Sequence, residues 1–156
     1  MFDSGKKLRL ASVVLAGALT VSSCAFAQST VTIGELLDRG GRKLTKEEAE
    51  SLLRGATRSG IQRGRPQTKF QVTLRPDGSV SGSAIDFETQ SNYTNVTGKW
   101  TINDKGQYCG DLRNSWGRAP TGSGVCFYLF KLGENYYEAP TDEREEQALE
   151  RTITRK

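Results

Sequence analysis

Residues 69–88, KFQVTLRPDGSVSGSAIDFE, decide the fold class. Phe70, Val72 and Leu74 alternate with Lys69, Gln71 and Thr73. That period of two places apolar side chains on one face of a strand. RPDGS at 75–79 centres on Asp77-Gly78, a dipeptide suited to a tight hairpin turn. Val80, Ala84, Ile85 and Phe87 continue on the return arm. That arm breaks strict alternation around Gly82, so a bulge is expected there.

Working outward, the same punctuation recurs downstream. VTGKWTI at 96–102 brings Val96, Trp100 and Ile102 together, NDKG at 103–106 makes a turn, and QYCGDL at 107–112 reads as a strand. GVCFYLFKLGENYYEAP at 124–140 supplies a strand from Val125 to Leu132, a turn at 133–135 and the pair Tyr136-Tyr137. Trp100 is expected in the core, and strand alternation sends one of the two tyrosines inward.

Upstream, LTKEEAESLLRG at 44–55 is a helix of one apolar face. Thr45 and Glu48 form a capping box, Leu44 staples toward Ala49, and Gly55 offers a left-handed C-cap. ATRSGIQRGRPQ at 56–67 is polar, glycine-rich and basic, and is expected to be a connecting loop. The fold class that follows is α+β, mostly antiparallel β: a short N-terminal helix packed on a curled meander of five to six strands.

The first 27 residues read as a signal peptide. Lys6, Lys7 and Arg9 precede an apolar stretch too short to span a bilayer, and AFA at 25–27 is a small-x-small cleavage site. VSSC at 21–24 offers the alternative of lipidation at Cys24, which would anchor the chain to a membrane. Residues 28–43 are expected to be a flexible lead-in, 44–139 the globular domain, and 140–156 a charged tail, frayed or briefly helical. No second apolar stretch is long enough to span a membrane.

Charge and composition remove several chemistries. The leader holds three of the 22 basic and one of the 18 acidic residues, which leaves about +2 for the rest. That balance, with no basic stripe interleaved by aromatics, does not point to nucleic acid. The run Arg54, Arg58, Arg63, Arg65 and Lys69 reads as a solvated linker. The chain contains no histidine. Ser-His-Asp and Cys-His hydrolases are thereby excluded, and the two mature cysteines alone do not make an ordinary zinc site. No metal or other cofactor is expected. Asp86, Glu88 and Asp111 are the carboxylates from which a hydrolytic pair would have to come, and nothing in their spacing singles them out.

Export and an even count of two make Cys109 and Cys126 a disulfide. They bracket GDLRNSWGRAPTGSG at 110–124. There Arg113, Trp116 and Arg118 either meet a ligand or partner, or solvate a loop whose tryptophan roofs the core.

This order of features, from the leading helix through GKWTI at 98–102 to the cysteine pair and the YY strand, resembles small uncharacterised secreted proteobacterial proteins of a domain-of-unknown-function class. The resemblance covers roughly residues 44–139 and carries no catalytic residues with it. It implies a periplasmic or secreted bacterial protein with a lipocalin-like half barrel. The function expected is a non-enzymatic periplasmic binding or accessory module, its partner an envelope protein or small ligand. The alternatives are an inhibitor of the lysozyme-inhibitor type acting through the 110–124 loop, or an outer-membrane lipoprotein held by Cys24.

Overall fold

A computed structural model describes residues 30–62, 67–86, 93–115, 117–120 and 123–155. In chain order the elements are β1 (Thr30–Thr32), α1 (Ile33–Asp38), β2 (Arg42–Lys43), α2 (Lys46–Leu53), β3 (Ala56–Gln62), β4 (Thr68–Leu74), β5 (Ser79–Asp86), β6 (Tyr93–Ile102), β7 (Tyr108–Asn114), β8 (Cys126–Leu132), β9 (Asn135–Ala139) and β10 (Gln147–Arg155). Strands β3 to β10 pair antiparallel in sequence order, and β10 returns to pair with β3. The sheet therefore closes into an eight-stranded barrel, with β1 added to β10 and β2 to β8. The mostly antiparallel β class stands; the half barrel of five to six strands is corrected to a closed barrel of eight.

The two extra barrel strands come from segments without an apolar period. The expected linker at 56–67 contains β3, six residues of which pair with β4. The expected charged tail contains β10, where Ile153 stands opposite Arg58 and Leu149 opposite Glu138. Both strands turn an arginine inward, so their buried face does not read as apolar.

The lead-in is also ordered over its described part. Thr32 caps α1 through a second capping box with Glu35. Ile33 and Leu36 are fully buried against Phe130, Tyr137, Ala139 and Ala148. Amides of Ile33 and Gly34 donate to the carbonyls of Glu146 and Arg144. Strands β8 to β10 are thus covered on both faces, the barrel interior on one side and this N-terminal belt on the other.

Helix α2 forms as the capping box requires, with Thr45 Oγ1 accepting from the Glu48 amide and Gly55 at φ 78° ending the helix. Ala49 and Leu53, with Leu44, join Leu74, Val80 and Trp100 in one apolar cluster. The Gly55 amide donates to the Leu74 carbonyl, and Lys46 pairs with Asp104 at 2.9 Å. The helix therefore plugs the barrel end that carries the turns at 75–78 and 103–106. Trp100 is core as expected, its indole N–H donating to the Arg75 carbonyl at 2.8 Å. Tyr137 is the buried member of the tyrosine pair.

The bulge expected at Gly82 is absent: Gly82 stands opposite both Val72 and Val96 in unbroken register. The glycine serves close approach instead. A Cβ there would lie 2.1 Å from the Gln71 carbonyl oxygen, so the strand can bend into the barrel only without one.

Cys109 and Cys126 are bonded, with Cα atoms 4.2 Å apart in directly paired positions. The ladder between β7 and β8 has only two pairs, Tyr108 with Phe127 and Cys109 with Cys126. Beyond it the seam is bridged by the 110–124 segment. Ser123 Oγ accepts from the Leu112 amide at 2.8 Å and donates to the Leu112 carbonyl at 2.9 Å, and the Gly124 amide donates to the Gly110 carbonyl. The disulfide thus staples the shortest seam of the barrel. Replacing both cysteines with serine is predicted to cost about 3 kcal/mol, read by urea unfolding. Amide exchange should rise first at residues 108–112 and 123–127; a uniform rise over the whole barrel would contradict the seam assignment.

Candidate ligand-binding cavity

Inward positions of β3, β9 and β10 place three charges inside the barrel. Arg58, Glu138 and Arg151 are at most 4 % exposed and, among the described residues, are the only buried charged side chains. Glu138 accepts from Nε and Nη2 of Arg58, one to each carboxylate oxygen, a bidentate arrangement that suits the planar guanidinium. Arg151 Nε donates to Glu138 Oε2 at 2.8 Å. Arg151 Nη1 reaches the carbonyls of Ile61 and Glu150, and Nη2 the Gln62 side-chain oxygen at 3.3 Å.

Burial alone would push the Glu138 carboxyl up, but Arg58 and Arg151 outweigh it and hold the group below its ordinary value of 4.5. Burial also opposes the charge on Arg58, and Glu138 more than restores it, whereas burial leaves Arg151 below its usual range. The triad is ionised at neutral pH. Two guanidinium groups face one carboxylate, so it carries one excess positive charge.

The aromatic side chains complete the charged layer. The Arg58 guanidinium lies 4.5 Å from the centre of the Phe70 ring and 4.9 Å from that of Tyr108, and Arg151 lies 5.5 Å from Phe70. These are cation–π distances. Beside them is an interior cavity of about 30 Å³, lined by Arg58, Gln62 and Tyr108 with Val96, Leu112 and Pro120 among its apolar walls. That space holds one water or a small polar group.

Tyr108 lines this cavity, and its hydroxyl is buried with no hydrogen-bond partner among the described residues. Burial raises its pKa, so it stays a neutral donor. A buried hydroxyl without a partner costs about 1–3 kcal/mol. Gly110, two residues along the strand, leaves it room: a Cβ there would sit 2.8 Å from the Tyr108 oxygen.

The residues singled out from sequence lie elsewhere. Arg113 is exposed on β7, 3.7 Å from an exposed Asp111, and Arg118 is exposed just beyond. The turn between them is held, with the Asn114 amide donating to the Arg118 carbonyl and the Arg118 amide to Asn114 Oδ1. Trp116, Glu88, the Asp86 side chain and Cys24 lie outside the described residues. Of the three candidate carboxylates only the Asp111 side chain is described, and it faces Arg113. Among the described residues no three of His, Cys, Asp or Glu gather at metal-binding spacing, and no helix is long and apolar enough to cross a membrane.

Larger concavities are open surface grooves. One, about 620 Å³, runs beside α2, and its Arg42 and Glu48 pair with each other at 2.7 Å. Arg42 and the Thr45 amide together hold Glu48 down to about 2. No family model, curated protein or solved structure matches the chain.

Glu138→Gln is predicted to destabilise the protein by about 3–5 kcal/mol at pH 7, because two buried guanidinium groups lose their counter-charge. The Glu138 pKa is depressed on folding, so its contribution is complete above 4.5 and is lost as pH falls through the folded-state value. The stability gap between wild type and variant should narrow below pH 4.5, measured by urea unfolding from pH 7 to 3. A gap that stays constant over that range would refute an ionised triad.

Proposed function

We propose that the protein is an exported, non-enzymatic binding module of the bacterial envelope, periplasmic or secreted, whose ligand site is the barrel interior. The reading is carried by Tyr108, which lines the inner cavity and whose buried hydroxyl has no partner among the described residues. Leader-like residues 1–27 and the disulfide accord with an oxidising destination. A sequence without histidine lacks the usual general base and metal ligand, which favours binding over catalysis.

The end plugged by α2 is filled with apolar side chains, whereas the charged layer and the cavity lie toward Gln62, Thr68 and Leu112. Pro120, from the segment between the two cysteines, lines the cavity. Pro120 accordingly acts as a wall of the site.

A second reading has an observation of its own. The hydrogen bonds across Asn114 and Arg118 fix a tight turn that presents two exposed arginines, as an inhibitor's inserted loop would require. Arg113→Ala/Arg118→Ala separates the two. An interior site predicts that the double variant retains its small-molecule ligand and its melting temperature. An inhibitor predicts loss of capture of an envelope enzyme in a pull-down.

Intact and native mass spectra of the protein purified from the envelope fraction test the rest. Export by simple cleavage gives a chain starting at Gln28 with the two cysteines oxidised, and a ligand adds a discrete mass. A diacylated chain starting at Cys24 would replace the soluble form by a lipoprotein. A chain retaining residues 1–23 would overturn export.

A further inference from the structure

We propose that the barrel cavity is a site for a monocarboxylate, its charged end held by Arg58 and Tyr108 and its apolar remainder lying along Leu112 and Pro120. The inference rests on the interior-binding reading above and adds the chemical class of the ligand.

Three observations select that class. The charged layer has two guanidinium groups to one carboxylate among the described residues, and a low-dielectric interior favours a single compensating negative charge. A dianion such as phosphate would overshoot it. Both arginines bind Glu138, Arg58 through Nε and Nη2, but only Arg58 borders the cavity, while Arg151 also engages Ile61, Glu150 and Gln62.

The Tyr108 hydroxyl supplies a second donor. It is buried, stays neutral, and has no partner among the described residues. A carboxylate accepts from a phenol and from a guanidinium alike, and bonds to an ionised acceptor are the stronger kind. The glycine at 110 keeps the space beside this hydroxyl open.

The third observation is the balance of the walls. Val72, Ala84, Val96, Leu112 and Phe127 are apolar and line the cavity together with the two donors. The cavity of about 30 Å³ matches a head group rather than a whole chain. A ligand longer than acetate therefore extends beyond this cavity.

The test is calorimetric titration of the refolded, ligand-free, disulfide-bonded protein with butyrate, decanoate, decanol and inorganic phosphate. The carboxylates should bind saturably, and decanol at least about tenfold more weakly than decanoate. Tyr108→Phe should weaken decanoate by about tenfold, one charge-assisted bond. Its melting temperature should not fall, since the lost hydroxyl has no partner among the described residues. Decanol or phosphate binding as tightly as decanoate, or Tyr108→Phe binding unchanged, would overturn the carboxylate assignment and leave interior binding standing. If nothing in the series binds, and native spectra of the envelope-purified protein show the bare chain, both readings fall.

Discussion

The bidentate contact between Arg58 and Glu138, with Arg151 closing on the same carboxylate, is the constraint on which the barrel depends. The three residues sit on β3, β9 and β10, successive strands around the circumference. They can meet only when the sheet has closed. A one-residue slip of β10 would turn Arg151 to the outer face and leave an ionised group without its partner in the interior. Buried triads of this kind are costly to desolvate and often add little net stability. Their effect here is to make one register far better than its neighbours.

The same triad divides the interior into unlike halves. On one side, α2 and the hairpin turns enclose Leu53, Leu74, Val80 and Trp100, a packed apolar plug. On the other, Arg58, the aromatic rings of Phe70 and Tyr108 and apolar walls surround a small void. The belt formed by α1 and β1 shields the outer face of β8 to β10. Strands that carry buried charge inside are therefore dry outside as well, which lowers the local dielectric and strengthens every contact of the triad.

Much of the framework was legible in the sequence because its inward positions are apolar. The hairpin at 69–88, the Trp100 strand, the capping box at Thr45 and the cysteine pair follow from alternation, turn chemistry and capping rules. Strand β3 was not legible: its inward positions include Ala56 and Arg58, and its glycine and arginine content imitates a linker. Strand β10 hid in the same way, since Leu149, Arg151 and Ile153 share a face but a charge interrupts the apolar count. The candidate site lies on those two strands and on Tyr108, so it escaped with them. Its one sequence signal was Glu138 in NYYEAP, sharing a strand face with Tyr136 amid apolar neighbours.

Closure by β10 has a consequence for the order of events as the chain is made. Residues 147–155 follow all three strands that β10 partners, and Arg58 and Glu138 are 80 positions apart. Until β10 arrives, β3 and β9 are the two free edges of a curled sheet, each offering unpaired backbone groups. Among the pairings of the barrel itself, the ring-closing step therefore carries the largest loop entropy, which favours its coming after the others. A chain crossing a membrane N-terminus first would present those edges throughout its passage, and would need shielding until its final strand emerged.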